Sequence, residues 1–321
     1  RLWASDSPLE CTYQRSSEKI VAIYDCFTFY NEYELLLWRL KILWDVVDTF
    51  VIVEGNSTFQ NKPKDFNFLK SRALFAPYEA KIRYVPIREK MPYDSNWSIE
   101  IYQRNAIKDA LAGCGDDDII LLSDVDEIVA PWLLKDLRDG GGNVHLFSPF
   151  ERVDERSGLR GLSRNLRCLF RTLPYFGDRV DLHSFLQHSP VVCEQKMYNF
   201  FINYQQDSNW CGTIFARYGQ ISTMQDLRNH RNIYPMIYGG WHFTSLGGVQ
   251  MIRNKIRSTS DGMRNPIYHL PEAEQSAVIE RALADGCIWW SGEHLKKRKI
   301  EELDVPYAAW FAAEYPHMYH A

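Results

Sequence analysis

Ile119-Ile120-Leu121-Leu122, running into Ser123-Asp124-Val125-Asp126-Glu127-Ile128, is the stretch that decides the fold. Four apolar residues after the polar Asp116-Asp117-Asp118 predict a short buried strand. At its end two carboxylates stand one residue apart, on the side of an α/β sheet where ligands bind. Oxygens so placed can hold a hard divalent cation, and that cation can hold a diphosphate. The competing reading is a solvated turn at a strand end, since Asp-x-Asp is common there.

Working toward the N-terminus, the pattern alternates. The spacing predicts strands over Ile82 to Val85, Phe50 to Val53 and Ile20 to Tyr24. Between them lie an amphipathic helix from Trp97 to Leu111, a Lys/Pro/Asn loop from Asn61 to Asn67, and an apolar helix running to about Trp44. Asn31 with Glu34 three residues on predicts a capping box for that helix. Strands alternating with helices imply βαβ units and a mostly parallel sheet.

Toward the C-terminus the order is less regular. Pro131 to Arg138 reads as a short helix, broken by Gly140-Gly141-Gly142 before a strand from Val144 to Phe147. From Glu151 to about Gln187 the chain is polar, arginine-rich and without clear period, and reads as an insertion or an irregular acceptor-facing region. Order returns at Met197 to Tyr204 and at Gly239-Gly240-Trp241-His242-Phe243. Residues 247–258 read as a helix, and Pro271 onward as helical and aromatic. No internal repeat is visible. The expected organisation is a polar tail over 1–18 and one domain over 19–321, split into halves at about 148/149.

Composition narrows the function class. The 321 residues, 45% hydrophobic and 24% charged, are those of an ordinary globular protein. A net charge of −4 gives no general attraction to nucleic acid, which is not expected as a partner. Aromatic content is 14%, with 10 Trp and 18 Tyr, enough to stack on sugar faces as well as fill a core. No stretch approaches a transmembrane helix, so no membrane contact is expected from this sequence itself. Position 1 is Arg rather than Met, which suggests a processed or truncated form; a membrane anchor could precede it. The seven cysteines contain no C-x-x-C pair, arguing against structural zinc. Asn56-Ser57-Thr58 and Asn96-Trp97-Ser98 match the N-glycosylation pattern.

Several segments in order resemble glycosyltransferase family 17. They are Tyr24-Asp25-Cys26-Phe27 with Asn31-Glu32, Asp45-Val46-Val47-Asp48, and Phe50-Val51-Ile52-Val53-Glu54. Asn56, Thr58-Phe59, Lys62-Pro63-Lys64, Gln103-Arg104, Ser123 to Ile128, and Gly240-Trp241-His242-Phe243 follow. Gly55 and segment 151–193 depart from the family pattern. The resemblance implies a GT-A fold: a mostly parallel α/β sheet flanked by helices, with a nucleotide-sugar half and a C-terminal acceptor-binding half. It implies UDP-N-acetylglucosamine as donor, Mn²⁺ as metal, and inversion at the anomeric carbon. It also implies a β1,4 bond to the core β-mannose of an N-glycan, or another glycan or donor on the same fold. The expected setting is a Golgi lumen behind a type II anchor, or the cytoplasm in a bacterium.

Roles follow from that implication. Asp126 is expected to bind the metal, and Asp124 to contact ribose or the metal through water. His242 is expected as a nitrogen ligand, since imidazole suits Mn²⁺; burial in an aromatic patch is the alternative. Asp25 and Glu54 end the first two expected strands, where ribose or uracil would lie. Arg104, Lys62 and Lys64 are expected near the diphosphate, with Arg104 suited by its fork of donors. Trp210 and Trp241 are expected to present faces to acceptor sugars. For the base that takes the acceptor's proton, Asp207 is the choice, with Glu194 and Asp226 as rivals. Two other classes share the acidic pair. A metal-dependent phosphohydrolase would need Asp25 as nucleophile, and a lectin on the same scaffold would bind donor without turnover.

Overall fold

Phe50, Val51, Ile52 and Val53 are all fully buried, which is what a strand covered on both faces requires. Alternate residues feed opposite cores. Phe50 and Ile52 pack with Leu36, Trp38 and Phe243 on one face. Val51 and Val53 pack with Ile99, Ile107 and Met224 on the other.

The computed structural model describes residues 21–139, 143–147 and 179–321. The first half runs β1 (Ile23–Thr28), α1 (Tyr33–Leu43), β2 (Thr49–Gly55), α2 (Asn67–Lys70), β3 (Ile82–Ile87), α3 (Ser98–Ala110), β4 (Ile119–Leu122). Then come β5 (Glu127–Val129), α4 (Pro131–Asp139) and β6 (Asn143–His145). The chain continues through β7 (Arg179–Asp181), α5 (Leu182–Phe185), β8 (Val191–Asn199), β9 (Tyr204–Arg217), α6 (Met224–Asn229) and β10 (Met236–Thr244). It closes with α7 (Gly248–Ser258), α8 (Glu272–Asp285), β11 (Lys296–Lys297) and α9 (Ala308–Glu314).

One nine-stranded sheet has the order β3-β2-β1-β4-β9-β8-β10-β5, with β11 on β9. The β3-β2-β1-β4 part is parallel throughout. β9 runs antiparallel to β4 and β8, β10 lies parallel to β8, and β5 returns antiparallel to β10. The sheet is therefore mixed, with helices on both faces.

Several expectations shift. β1 begins and ends later than predicted, running to Thr28, so Asp25 is a mid-strand residue. The Asn31–Glu34 capping box does not form. Instead the Glu32 carboxylate accepts the N–H groups of Tyr30 (3.2 Å) and Asn31 (3.0 Å), leaving α1 without a side-chain cap. Met197 to Tyr204 is not one element, because Phe200 takes a left-handed backbone (φ 68) where β8 turns toward β9. The tail 1–18, the Gly140-Gly141-Gly142 break and most of segment 151–193 lie outside the described residues. Among the described cysteines, Cys26, Cys114, Cys193 and Cys287 are free thiols. Among the described residues no helix is long and apolar enough to cross a membrane.

Candidate active site

Arg39 builds the acidic turn. It sits in α1, fully buried, and makes six hydrogen bonds. Two go to Asp25 (2.7 and 2.5 Å) and one to Ser123 Oγ (2.6 Å). Three go to the carbonyls of Asp124 (2.9 Å), Val125 (3.1 Å) and Glu127 (3.0 Å). A buried guanidinium with a paired carboxylate thus fixes the backbone that carries both aspartates. Asp25, expected at the nucleoside, has both oxygens committed to Arg39 at 0% exposure, so it cannot face a ligand. Glu54 is likewise turned inward. It accepts from Lys64 Nζ, the Asn67 and Phe68 N–H groups (2.7 and 3.1 Å) and Tyr84 Oη (2.8 Å), anchoring the start of α2.

The two aspartates leave the turn in different directions. Asp124 accepts from Arg104 (3.3 Å) and Arg228 (2.8 Å). Burial raises its pKa, but those two guanidiniums outweigh it and bring the carboxyl down to about 2. Arg228 also holds Glu127 through two bonds (2.9 and 2.6 Å), and Glu127 accepts from Trp210 Nε1 (2.6 Å). Asp124, Arg104, Arg228, Trp97 and Trp210 line one cleft with Arg231, whose guanidinium lies 4.7 Å from the Trp210 ring centre.

Asp126 opens on a second cleft, beyond the C-terminal ends of β1 and β2. Tyr30, Glu32, Lys64, Gln103 and Lys255 are among the residues that line it. Its Oδ2 accepts from Lys255 Nζ at 2.8 Å, and Oδ1 lies 3.6 Å from His242 Nε2. Burial works against the charged form, yet Lys255 and His242 hold the carboxyl well below the usual range. Burial and repulsion from Asp126 push Glu32 the other way, upward. Burial also lowers the Lys64 pKa, against the pull of Glu54.

The fit to a cation can be tested on these atoms. Among the described residues no cluster of three or more His, Cys, Asp or Glu could cage a metal. Asp126 and His242 nevertheless converge on one point. His242 Nδ1 is buried without a partner, so the far-side hydrogen bond that usually orients a ligating imidazole is missing, and the fit rests on Nε2 facing Asp126. Cations that serve nucleotides take one or two protein ligands and fill the rest with phosphate and water. Two donors suffice on that pattern, with Lys255 yielding or sharing one Asp126 oxygen.

The remaining expectations divide. Trp241 is 0% exposed, with Nε1 on Asp304 (3.0 Å), and is a core residue rather than a sugar platform. Trp210 is half-buried and faces a cleft, 5.0 Å from the His242 ring. Lys62 is exposed and reaches the Arg257 carbonyl (3.4 Å), apart from Lys64. Asp207 is exposed at the β8–β9 tip and paired with Lys296 (2.6 Å). Asp226 is exposed on α6 beside His230 (3.4 Å), and Glu194 is buried within β8. None of these three is among the residues that line the cleft of Asp126. Sequence reasoning missed Arg39, Glu127, Arg228, Glu32 and Lys255. A lone Arg in the apolar run Leu36-Leu37-Trp38-Arg39-Leu40 was a usable sign of a buried ion pair. Lys255 carried no such sign.

With this geometry in view, comparison with known proteins adds family. The model of glycosyltransferase family 17 matches residues 9–147, which include the acidic turn. That match covers less than half of the chain, and over that stretch the chain is similar to glycosyltransferase family 17. The chain is 24% identical over 245 residues to the human β-1,4-mannosyl-glycoprotein 4-β-N-acetylglucosaminyltransferase. That match covers 72% of this chain and 42% of the relative, so the chain spans well under half of it. Among solved structures, it overlaps a mannosyltransferase of Pyrobaculum calidifontis in complex with GDP-Man and Mn²⁺ at 13% identity and TM-score 0.35 (93% and 81% of the two chains). It also overlaps the galactosyltransferase LgtC, in complex with donor and acceptor sugar analogues, at 12% identity and TM-score 0.32 (94% and 97%). Overlaps this loose say nothing of ligands. A parallel 3-2-1-4 half whose fourth strand ends in Asp-x-Asp, extended by antiparallel strands, is the GT-A fold expected from the sequence.

Proposed function

We propose that this chain is a glycosyltransferase of the family 17 type that moves N-acetylglucosamine from UDP-N-acetylglucosamine to a glycan, with inversion and with help from a divalent cation. The acceptor that best suits the likeness to the human enzyme is the core β-mannose of an N-glycan, through a β1,4 bond. That acceptor belongs to a secretory lumen, and the Golgi is the setting we assign. The observation that carries the reading is Asp126, held at the mouth of a strand-end cleft with His242 at 3.6 Å and Lys255 at 2.8 Å.

Asp126 and His242 would hold the cation, Mn²⁺ on the choice of an imidazole ligand. Bound there, it would supply Lewis-acid charge opposite a departing diphosphate. The chain's own groups do the rest. Lys255 carries a fixed positive charge beside Asp126, where a nucleotide's phosphates would come. Lys64, half-buried on the same cleft, adds a second. Glu32 takes the place that Asp25 and Glu54 vacate: a carboxylate just beyond β1, in the cleft, able to accept from a ribose hydroxyl or the uracil N–H. Asp124, held by Arg104 and Arg228, stands on the neighbouring cleft and fixes the far side of the same turn.

The phosphohydrolase reading loses its nucleophile, because Asp25 is locked to Arg39. The decisive experiment offers several UDP-sugars, with Mn²⁺ or with chelator, to the protein alone and with a biantennary N-glycan. The proposal requires UDP release from UDP-N-acetylglucosamine that depends on both glycan and Mn²⁺. Release that ignores the glycan, or a preference for another UDP-sugar, would overturn it.

A further inference from the structure

Past α8 the chain turns through Gly286 (φ 60) into a tight loop closed by the Cys287–His294 bridge. Inside it, the Ile288 N–H donates to the Glu293 carbonyl (2.9 Å) and the Gly292 N–H to the Ile288 carbonyl (2.8 Å). Ile288 is 1% exposed and plugs the loop into the core shared by α7 and α8. Trp289 stacks on Phe200 (5.7 Å, 9°) and donates from Nε1 to Asn265 Oδ1 (3.2 Å). Trp290 then stands edge-on to Trp289 (4.7 Å, 88°) with 45% of its surface exposed.

An exposed tryptophan alone is unremarkable. This one is braced from behind by a ring that is itself stacked and hydrogen-bonded. It also faces a cleft, walled by Asp261, Arg264, Asn265 and by Lys255 and Thr259 of the α7 segment. Lys255 and Thr259 line the cleft of Asp126 as well, so the two clefts meet at the lysine that touches Asp126.

We propose that the Trp290 cleft is an acceptor subsite that binds a pyranose of the glycan other than the one receiving the new bond. The assignment rests on the glycosyltransferase reading above. A pyranose has an apolar C–H face and a polar rim. The first suits a rigid indole face, and the second suits a carboxylate, a guanidinium and an amide around it. Asn265 Oδ1 is taken by Trp289 and by the Ile267 N–H (3.2 Å), so its amide nitrogen is what it has to offer a hydroxyl. Trp290 would thus set how much of the glycan beyond the reacting sugar is recognised, in place of the buried Trp241.

The test compares the parent with Trp290→Ala and Trp290→Phe, using the full chain, Mn²⁺ and UDP-N-acetylglucosamine. Acceptors are a biantennary N-glycan and the disaccharide Man-β1,4-GlcNAc. Trp290→Ala should raise KM for the larger glycan about tenfold, equivalent to about 1.4 kcal/mol. Its kcat, its KM for the disaccharide and its UDP affinity by calorimetry should not move. Trp290→Phe should restore most of the loss, and glycan binding without donor should quench tryptophan fluorescence in the parent but not in the Ala variant. An unchanged KM for the larger glycan, in a parent that transfers to it, would overturn the subsite and leave the enzyme reading intact. A parent that neither binds UDP nor releases it with any glycan would overturn both.

Discussion

Arg39 and Asp126 show how differently two charged residues can matter. Arg39 touches no ligand; it shapes the turn. Arg39→Met should leave Asp25 buried and unpaired, at a cost of about 3–5 kcal/mol, read as a lowered urea midpoint. Asp126→Asn keeps shape and removes charge. It should cut turnover by about 100-fold or more when assayed well below its melting temperature, with a thermal midpoint somewhat lowered because Lys255 loses its partner. The Asp124 pair adds a pH dependence. Its carboxyl titrates at about 2 in the folded chain, against about 3.9 unfolded. Stability from the pair is therefore complete above pH 4 and drains away as pH falls toward 2. Solvent screening at a side chain 40% exposed keeps the amount modest. Urea titrations of parent and Asp124→Asn should differ at pH 6, and the difference should narrow as pH falls through 2.5 toward 2. At this scale the sequence told which acids to suspect but not which way they point. Asp124 lies beside Arg104 and Asp126 beside His242, but the two pairs stand on different clefts. Asp25 joins neither, because a strand end placed at Tyr24 lies in fact at Thr28, which turns a cleft-edge residue into a mid-strand one.

Among the elements, β10 is the most exacting. Its register with β8 slips between Tyr238 and Trp241, and Gly240 there has φ 113. A Cβ at Gly240 would sit 2.4 Å from the Ile128 carbonyl oxygen of β5. Gly240→Ala should therefore strain the backbone and push β5 away from its partner, costing about 2–4 kcal/mol. Because Asp126 and His242 lie on the two sides of that pairing, activity should fall further than stability does. Denaturation and turnover measured on the same variant would check both. The parallel strands were legible from their unbroken apolar runs, as was α3 from its period. The β8–β9 hairpin was not. Gln205 to Asn209 are polar, with Asp207, Ser208 and Asn209 exposed, and they hide a strand that the backbone continues through. β10 was seen only at its apolar end.

At the scale of the molecule, ligands and fold are linked. A nucleotide and a cation that share Asp126 should stabilise the chain together more than the sum of each alone. Saturation at about 100 times Kd contributes about 2.7 kcal/mol. Thermal melts with UDP, with Mn²⁺ and with both should show a rise concentrated in the last, and none of that surplus in Asp126→Asn. The fold class was readable at this scale from strand–helix alternation, whereas the joining of both halves into one sheet was not, since pairings between distant strands leave no local pattern.

That joining has a consequence for assembly during synthesis. β4 pairs with β1 on one side, and its opposite edge is covered by β9, almost a hundred residues downstream. The portion that carries the family's signature cannot finish its own architecture. Cut after residue 147, it would leave a bare edge of Ile119, Ile120, Leu121 and Leu122 facing water, an invitation to stick to other copies. While the ribosome is still making β9, something must shield that rim, and a fragment expressed alone should sediment as aggregate rather than as monomer.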